Sequence, residues 1–126
     1  MRPVFFVSDV KRALEFYVDK LGFRMKWQSP EGKVCQVDRG ECEIILEENQ
    51  RNDRGRLFLE LSREGVDELL HEIAERSVKT DKTWWGYYVL QIRDPDGNEL
   101  LVCLEWCHRI RMHNENRLIE NEINKR

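Results

Sequence analysis

Histidine is scarce in this chain, and long apolar runs are missing altogether. The 126 residues include 3 histidines, at His71, His108 and His113, so a metal centre built on imidazole has few places to form. No apolar stretch approaches the ~20 residues that a membrane-spanning helix needs, and the first residues lack the pattern of a signal peptide. Cationic excess is missing too. Lys+Arg 21 stand against Asp+Glu 24, a net charge of −3, so no basic footprint points to nucleic acid. These absences predict a cytoplasmic protein with no membrane and no nucleic acid among its partners. The 4 cysteines (Cys35, Cys42, Cys103, Cys107) show neither zinc-knuckle nor CxxC spacing. Reduced, ordinary thiols fit that compartment, although Cys107-His108 with His113 supplies half of a metal donor set. Ser8, Ser29, Ser62 and Ser77 have no histidine partner at motif spacing, and no glycine-rich phosphate loop occurs.

What is present is a chain folded twice. A length of 126 residues makes one domain. Periodicity predicts strand 3–8, helix 10–20, and strands 23–28, 33–38 and 41–47. The order recurs as strand 56–61, helix 64–76, a short strand near 79–83, and strands 86–93 and 98–105. Val10, Ala13, Leu14 and Tyr17 of the first helix return at constant spacing as Val66, Leu69, Leu70 and Ile73 of the second. Asn49–Gly55 is polar and reads as the linker between halves 1–48 and 56–105. After Trp106 the segment 106–126 turns charged, with Ile110, Met112, Leu118, Ile119 and Ile123 in a narrow stripe. It reads as a solvated tail, with packing on a partner subunit as the alternative. A βαβββ half cannot bury both faces of its sheet, so the two halves are expected to form one curled, mixed eight-stranded sheet with helices outside. The fold class is α+β.

Two patterned segments carry a further signal. Val4-Phe5-Phe6-Val7-Ser8-Asp9-Val10, Ala13-Leu14, Phe16-Tyr17 and Leu21-Gly22-Phe23 open the chain, and Asp94-Pro95-Asp96-Gly97-Asn98 follows Trp85-Gly86 near its end. Pro95 presets φ for a turn, Gly97 supplies a positive φ, and Asp94 and Asn98 can bond back to the turn backbone. Over about residues 1–105 these motifs, in this order, resemble the vicinal oxygen chelate superfamily of glyoxalases, extradiol dioxygenases and bleomycin-resistance proteins. The resemblance implies paired βαβββ modules, a homodimer, and either a metal enzyme or a pure binder, since the scaffold hosts both.

In metal-binding members the ligands run His, Glu, His, Glu on the inner strands. Carried onto this chain, those positions fall at Arg2, Ile45, Arg56 and Leu101, with Glu47 on the face of Ile45 as one carboxylate in reserve. A guanidinium has no lone pair to give a metal. The expectation is therefore no metal, no cofactor and no catalytic residue. Arg2 and Arg56 are candidates to clamp an anion, or else Arg2 stays in water and Arg56 pairs with Glu60 or Glu99. Phe6, Phe58, Trp84, Trp85, Tyr87 and Gln91 are candidate walls for a small aromatic or amphiphilic ligand, with Tyr88, Leu90 and Ile92 facing the helices. Adjacent tryptophans in a strand point to opposite faces, so one of Trp84 and Trp85 is expected in the core. A small-molecule binder of the resistance type, sequestering an antibiotic or xenobiotic, is the reading that results. A metal-dependent lyase, isomerase or dioxygenase, and a structural or regulatory dimer with a filled hollow, are the alternatives.

Overall fold

The computed structural model describes residues 2–51 and 53–104. The segment 106–126 and the Cys107-His108-His113 grouping lie outside the described residues. Each half folds as a strand, a helix and a three-stranded meander. Strand β1 (Val4–Val7) leads into α1 (Val10–Leu14), capped by Asp9, whose carboxylate accepts from Lys11 N at 3.0 Å. The helix continues with π winding through Glu15–Lys20 and stops at Gly22, whose φ of 72° is left-handed and favours glycine. Strands β2 (Arg24–Gln28), β3 (Val34–Arg39) and β4 (Cys42–Glu48) complete the half. The second half repeats the plan as β5 (Arg56–Leu59), α2 (Arg63–Glu75, capped by Ser62), β6 (Thr80–Trp84), β7 (Tyr88–Arg93) and β8 (Glu99–Cys103).

The strands make two four-stranded sheets, ordered β1-β4-β3-β2 and β5-β8-β7-β6, rather than the continuous eight-stranded sheet expected. In each, the first strand runs parallel to the last and the remaining pairs are antiparallel. The registers also repeat. Val4, Ile45 and Gln36 form a row across the first sheet, and Phe58, Leu101 and Gln91 form the same row across the second. Between β1 and the start of β5 no backbone ladder is formed, and the Asn98 side chain bridges the two sheets instead. Asn98 donates to Phe6 O at 3.0 Å and accepts from Gly55 N at 2.7 Å.

Period-two alternation decides which face of each sheet is core. Phe5, Val7, Val37, Ile44 and Leu46 of the first half join Leu59, Leu90, Ile92, Leu100 and Val102 of the second in one apolar cluster under Tyr17, Leu21 and Leu69 of the helices. The halves thus share a core. The opposite face of each sheet, which the helices do not cover, is the open face.

Candidate functional site

On the open face of the second half, Val89, Leu101 and Cys103 are buried yet stand outside the shared core, and they form a small apolar floor. Phe58 and Trp85 rise beside it with ring centroids 6.4 Å apart. The Arg56 guanidinium lies 5.7 Å from the Trp85 ring centroid and its Nε is 3.4 Å from Glu99. The Arg56 side chain is 55% exposed, so much of its donor capacity faces solvent. Gln91 shares this face, half-buried, and Arg93 pairs with Asp81 at its margin.

The open face of the first half is built differently. Gln36 is fully buried at its centre, and its side-chain oxygen accepts from Trp27 Nε1 at 2.9 Å and Arg2 Nη1 at 3.2 Å. Its amide nitrogen donates to Asp38 and Glu43, each at 2.8 Å. All four hydrogen-bonding sites of the amide are used, so the hub is polar and satisfied. The spacing of β3 alone did not single out Gln36. Its part depends on cross-strand neighbours, and the one local signal is a polar residue between Cys35 and Val37.

The sequence candidates divide accordingly. Arg56, Phe58, Trp85 and Gln91 share the open face of the second half. Arg2 and Phe6 belong to the first half, where Arg2 is held by Gln36 and Arg51 lies 5.4 Å over the Phe6 ring. Arg2 precedes β1 and Arg56 opens β5, each with its own partner, and no described contact joins them in a clamp. Trp84 is on the other face. It pairs in register with Tyr88 and stacks edge-on against that ring at 4.9 Å, with Lys82 over the same ring. Neither tryptophan is core, at 49% and 43% exposed, because Trp85 has already left the strand and Trp84 ends the edge strand β6. Tyr87 precedes β7, and its carbonyl accepts from Trp85 N at 2.9 Å, which tightens the turn at Gly86.

The four positions that the resemblance assigned to metal ligands (Arg2, Ile45, Arg56 and Leu101) hold two guanidiniums and two hydrocarbons. Arg56 and Leu101 stand on β5 and β8, Ile45 stands on β4, and Arg2 is bonded to Gln36. Glu47 accepts from Asn49 at 3.3 Å. Among the described residues no three His, Cys, Asp or Glu side chains converge as a metal site, so this donor set does not fit a divalent ion. His71 is solvent-exposed on α2 beside Glu75. Burial raises the Cys35 and Cys42 thiols to about 11, and the Asp38 and Glu43 carboxylates push Cys42 the same way, so both stay protonated at neutral pH.

The fold and its open faces define a class. Residues 2–102 match the family model of the Glyoxalase/Bleomycin resistance protein/Dioxygenase superfamily, and the chain belongs to that superfamily. Its sequence is 30% identical over 111 residues to the uncharacterized protein YraH of Bacillus subtilis (strain 168), covering 73% of this chain and 87% of that one. The fold superposes on the bleomycin-binding protein of Streptomyces verticillus, solved with copper(II)-bleomycin, with a TM-score of 0.67 at 24% identity over 82% of this chain and 93% of that one. It superposes on lactoylglutathione lyase from Agrobacterium tumefaciens with a TM-score of 0.63 at 24% identity, over 82% and 90%. No helix among the described residues is long and apolar enough to cross a membrane.

Proposed function

We propose that this protein binds a small aromatic or amphiphilic molecule on the open face of its second half, without a catalytic metal, as a cytoplasmic homodimer. Sequestration of an antibiotic or xenobiotic is the activity this reading assigns. The observation that carries it is the grouping of Arg56, Phe58 and Trp85 over an apolar floor, at a place where the ligand positions of metal enzymes hold Arg56 and Leu101. Aromatic walls with one cationic group suit a flat ligand with an anionic end. The first half supports the same choice from the other side, since its polar hub already uses every donor and acceptor of Gln36. The exposed, apolar Val4, Met25 and Trp27 favour a second copy covering part of these faces. Likeness to a lyase keeps a metal-dependent lyase, isomerase or dioxygenase as the second reading.

Titration with the aromatic sulfonate dye 1-anilinonaphthalene-8-sulfonate, in parent, Trp84→Phe and Trp85→Phe, separates the faces. Trp85→Phe should weaken dye binding about tenfold, corresponding to ~1.4 kcal/mol, while Trp84→Phe binds as the parent does. Equal binding by all three removes this face as the site. Elemental analysis after incubation with zinc, nickel, manganese and iron should find less than one ion per chain. A stoichiometric ion lost on Glu47→Ala would favour the enzyme.

A further inference from the structure

The second sheet runs β5-β8-β7-β6, so β8 and β7 separate its two edges, and at about 4.8 Å per strand those edges are about 14 Å apart. Trp85 leaves the end of one edge strand, β6. Its ring centroid is nevertheless 6.4 Å from that of Phe58 and 5.7 Å from the Arg56 guanidinium, both on the other edge strand, β5. To make those contacts the indole has to reach across the open face, above the strands that carry Val89, Leu101 and Cys103. No helix covers this face, yet those three residues are 0%, 4% and 4% exposed.

The reaching side chain is lightly held. Trp85 is half-exposed, and the two contacts are a tilted ring pair and a cation over the ring from an arginine that is itself largely in solvent. Trp85 lies past the strand, tied back by its N–H to the Tyr87 carbonyl at 2.9 Å across Gly86. Gly86 has φ 83°, and nothing stands within 4 Å of where its side chain would be, so the turn is not packed in place. A side chain that spans the sheet from an unpacked turn can move without disturbing the core.

We propose that Trp85 is a hinged cover: its indole closes the apolar floor, and it lifts about Gly86 so that a flat ring enters between the indole and Val89, Leu101 and Cys103. The floor carries no charged side chain, so the part that enters is a neutral planar ring, with any anionic end left at the rim beside Arg56. What enters rests on the reading of this face as a binding face, but the cover is tested with no ligand present. Alkylation of the native full chain with N-ethylmaleimide, followed residue by residue through peptide mass, compares Cys103 in the floor with Cys35, buried on the core face of β3. In the parent, Cys103 should react at least tenfold faster than Cys35, because lifting one side chain requires no unfolding. Trp85→Ala should speed Cys103 at least a further tenfold and leave Cys35 unchanged, and Trp84→Ala, on the opposite face, should alter neither. Equal rates at the two thiols in the parent, no acceleration in Trp85→Ala, or an acceleration that Cys35 shares or Trp84→Ala reproduces would each overturn the cover. The dye titration fails separately: dye binding indifferent to Trp85→Phe removes the binding reading, whatever the thiol rates show of the cover.

Discussion

At one junction between the halves the contact is a buried hydrogen-bond hub, and at the other it is an ionic clasp beside an open cleft. In the first, Asp94 accepts from Asp96 N, Asn98 N, Asn98 Nδ2 and the Tyr17 hydroxyl, all within 2.9 Å, so the turn of the second half locks onto the helix of the first. In the second, Arg39 reaches Glu72 and the Leu21 carbonyl, and Arg76 reaches Glu72 and the Lys20 carbonyl. A side chain on Gly22 would meet Glu72 Oε1 at 2.5 Å, so the clasp also needs that glycine. One duplicated plan has thus been closed in two ways. Where the turn is long enough to insert, short polar side chains are desolvated and, apart from the buried Asp96 Oδ2, paired. Where it is short, long charged side chains span the gap and leave room beside them.

The largest expected difference between the junctions is in stability. Asp94→Ala strands the Tyr17 hydroxyl and both Asn98 donors in a buried setting, and each such group costs about 1–3 kcal/mol. Urea unfolding should show a loss of at least about 3 kcal/mol. A loss under 1 kcal/mol would mean the two junctions are equivalent.

Acid should separate the same two places by the sign of their response. Burial raises the Asp94 carboxyl above its ordinary 3.8, outweighing the Asn98, Tyr17 and backbone donors that pull it down. A raised carboxyl favours folding most below 3.8, and that contribution is lost as pH rises through the folded value. Glu72 is lowered from 4.5, first by the Arg39 hydrogen bond, so its contribution is present above 4.5 and is lost as pH falls through the folded value. The stability gap between parent and Glu72→Gln should therefore shrink in acid, and the gap between parent and Asp94→Asn should grow. Parallel pH profiles for the two variants would refute this contrast.

The smallest effect belongs to the clasp itself. Arg39→Met should destabilise by about 1 kcal/mol, because the pair is only partly buried and Glu72 keeps Arg76. Roughly 1 M salt should narrow the difference from the parent by screening the pair. A gap that salt leaves unchanged would show that Arg39 acts through packing and its bond to the Leu21 carbonyl.

Much of the fold was legible in the chain. All ten predicted elements exist within about two residues of their expected ends, because alternation, helical spacing and the turn residues at Gly40 and Gly97 are local signals. The repeat of Val10, Ala13, Leu14 and Tyr17 at Val66, Leu69, Leu70 and Ile73 predicted the second half from the first. The site was legible only in part. Arg56, Phe58 and Gln91 fall on one face because β5 and β7 keep strict alternation, while Trp85 reaches that face from the turn after β6. Trp84 and Trp85 do lie on opposite faces, but neither is core, because β6 is an edge strand that ends at Trp84.

What the sequence by itself determined is local: where each strand and helix runs, which side chains share a face, and that the plan is used twice. Tertiary structure alone decided that the halves form two sheets, that Gln36 gathers Trp27, Arg2, Asp38 and Glu43, and that one junction is filled while the other is open. The physical reason is range. Backbone preference and hydrophobic period act over a few residues. A hydrogen bond such as Asn98 to Phe6, or a cleft lined from both halves, depends on how distant segments meet after the shared core has formed.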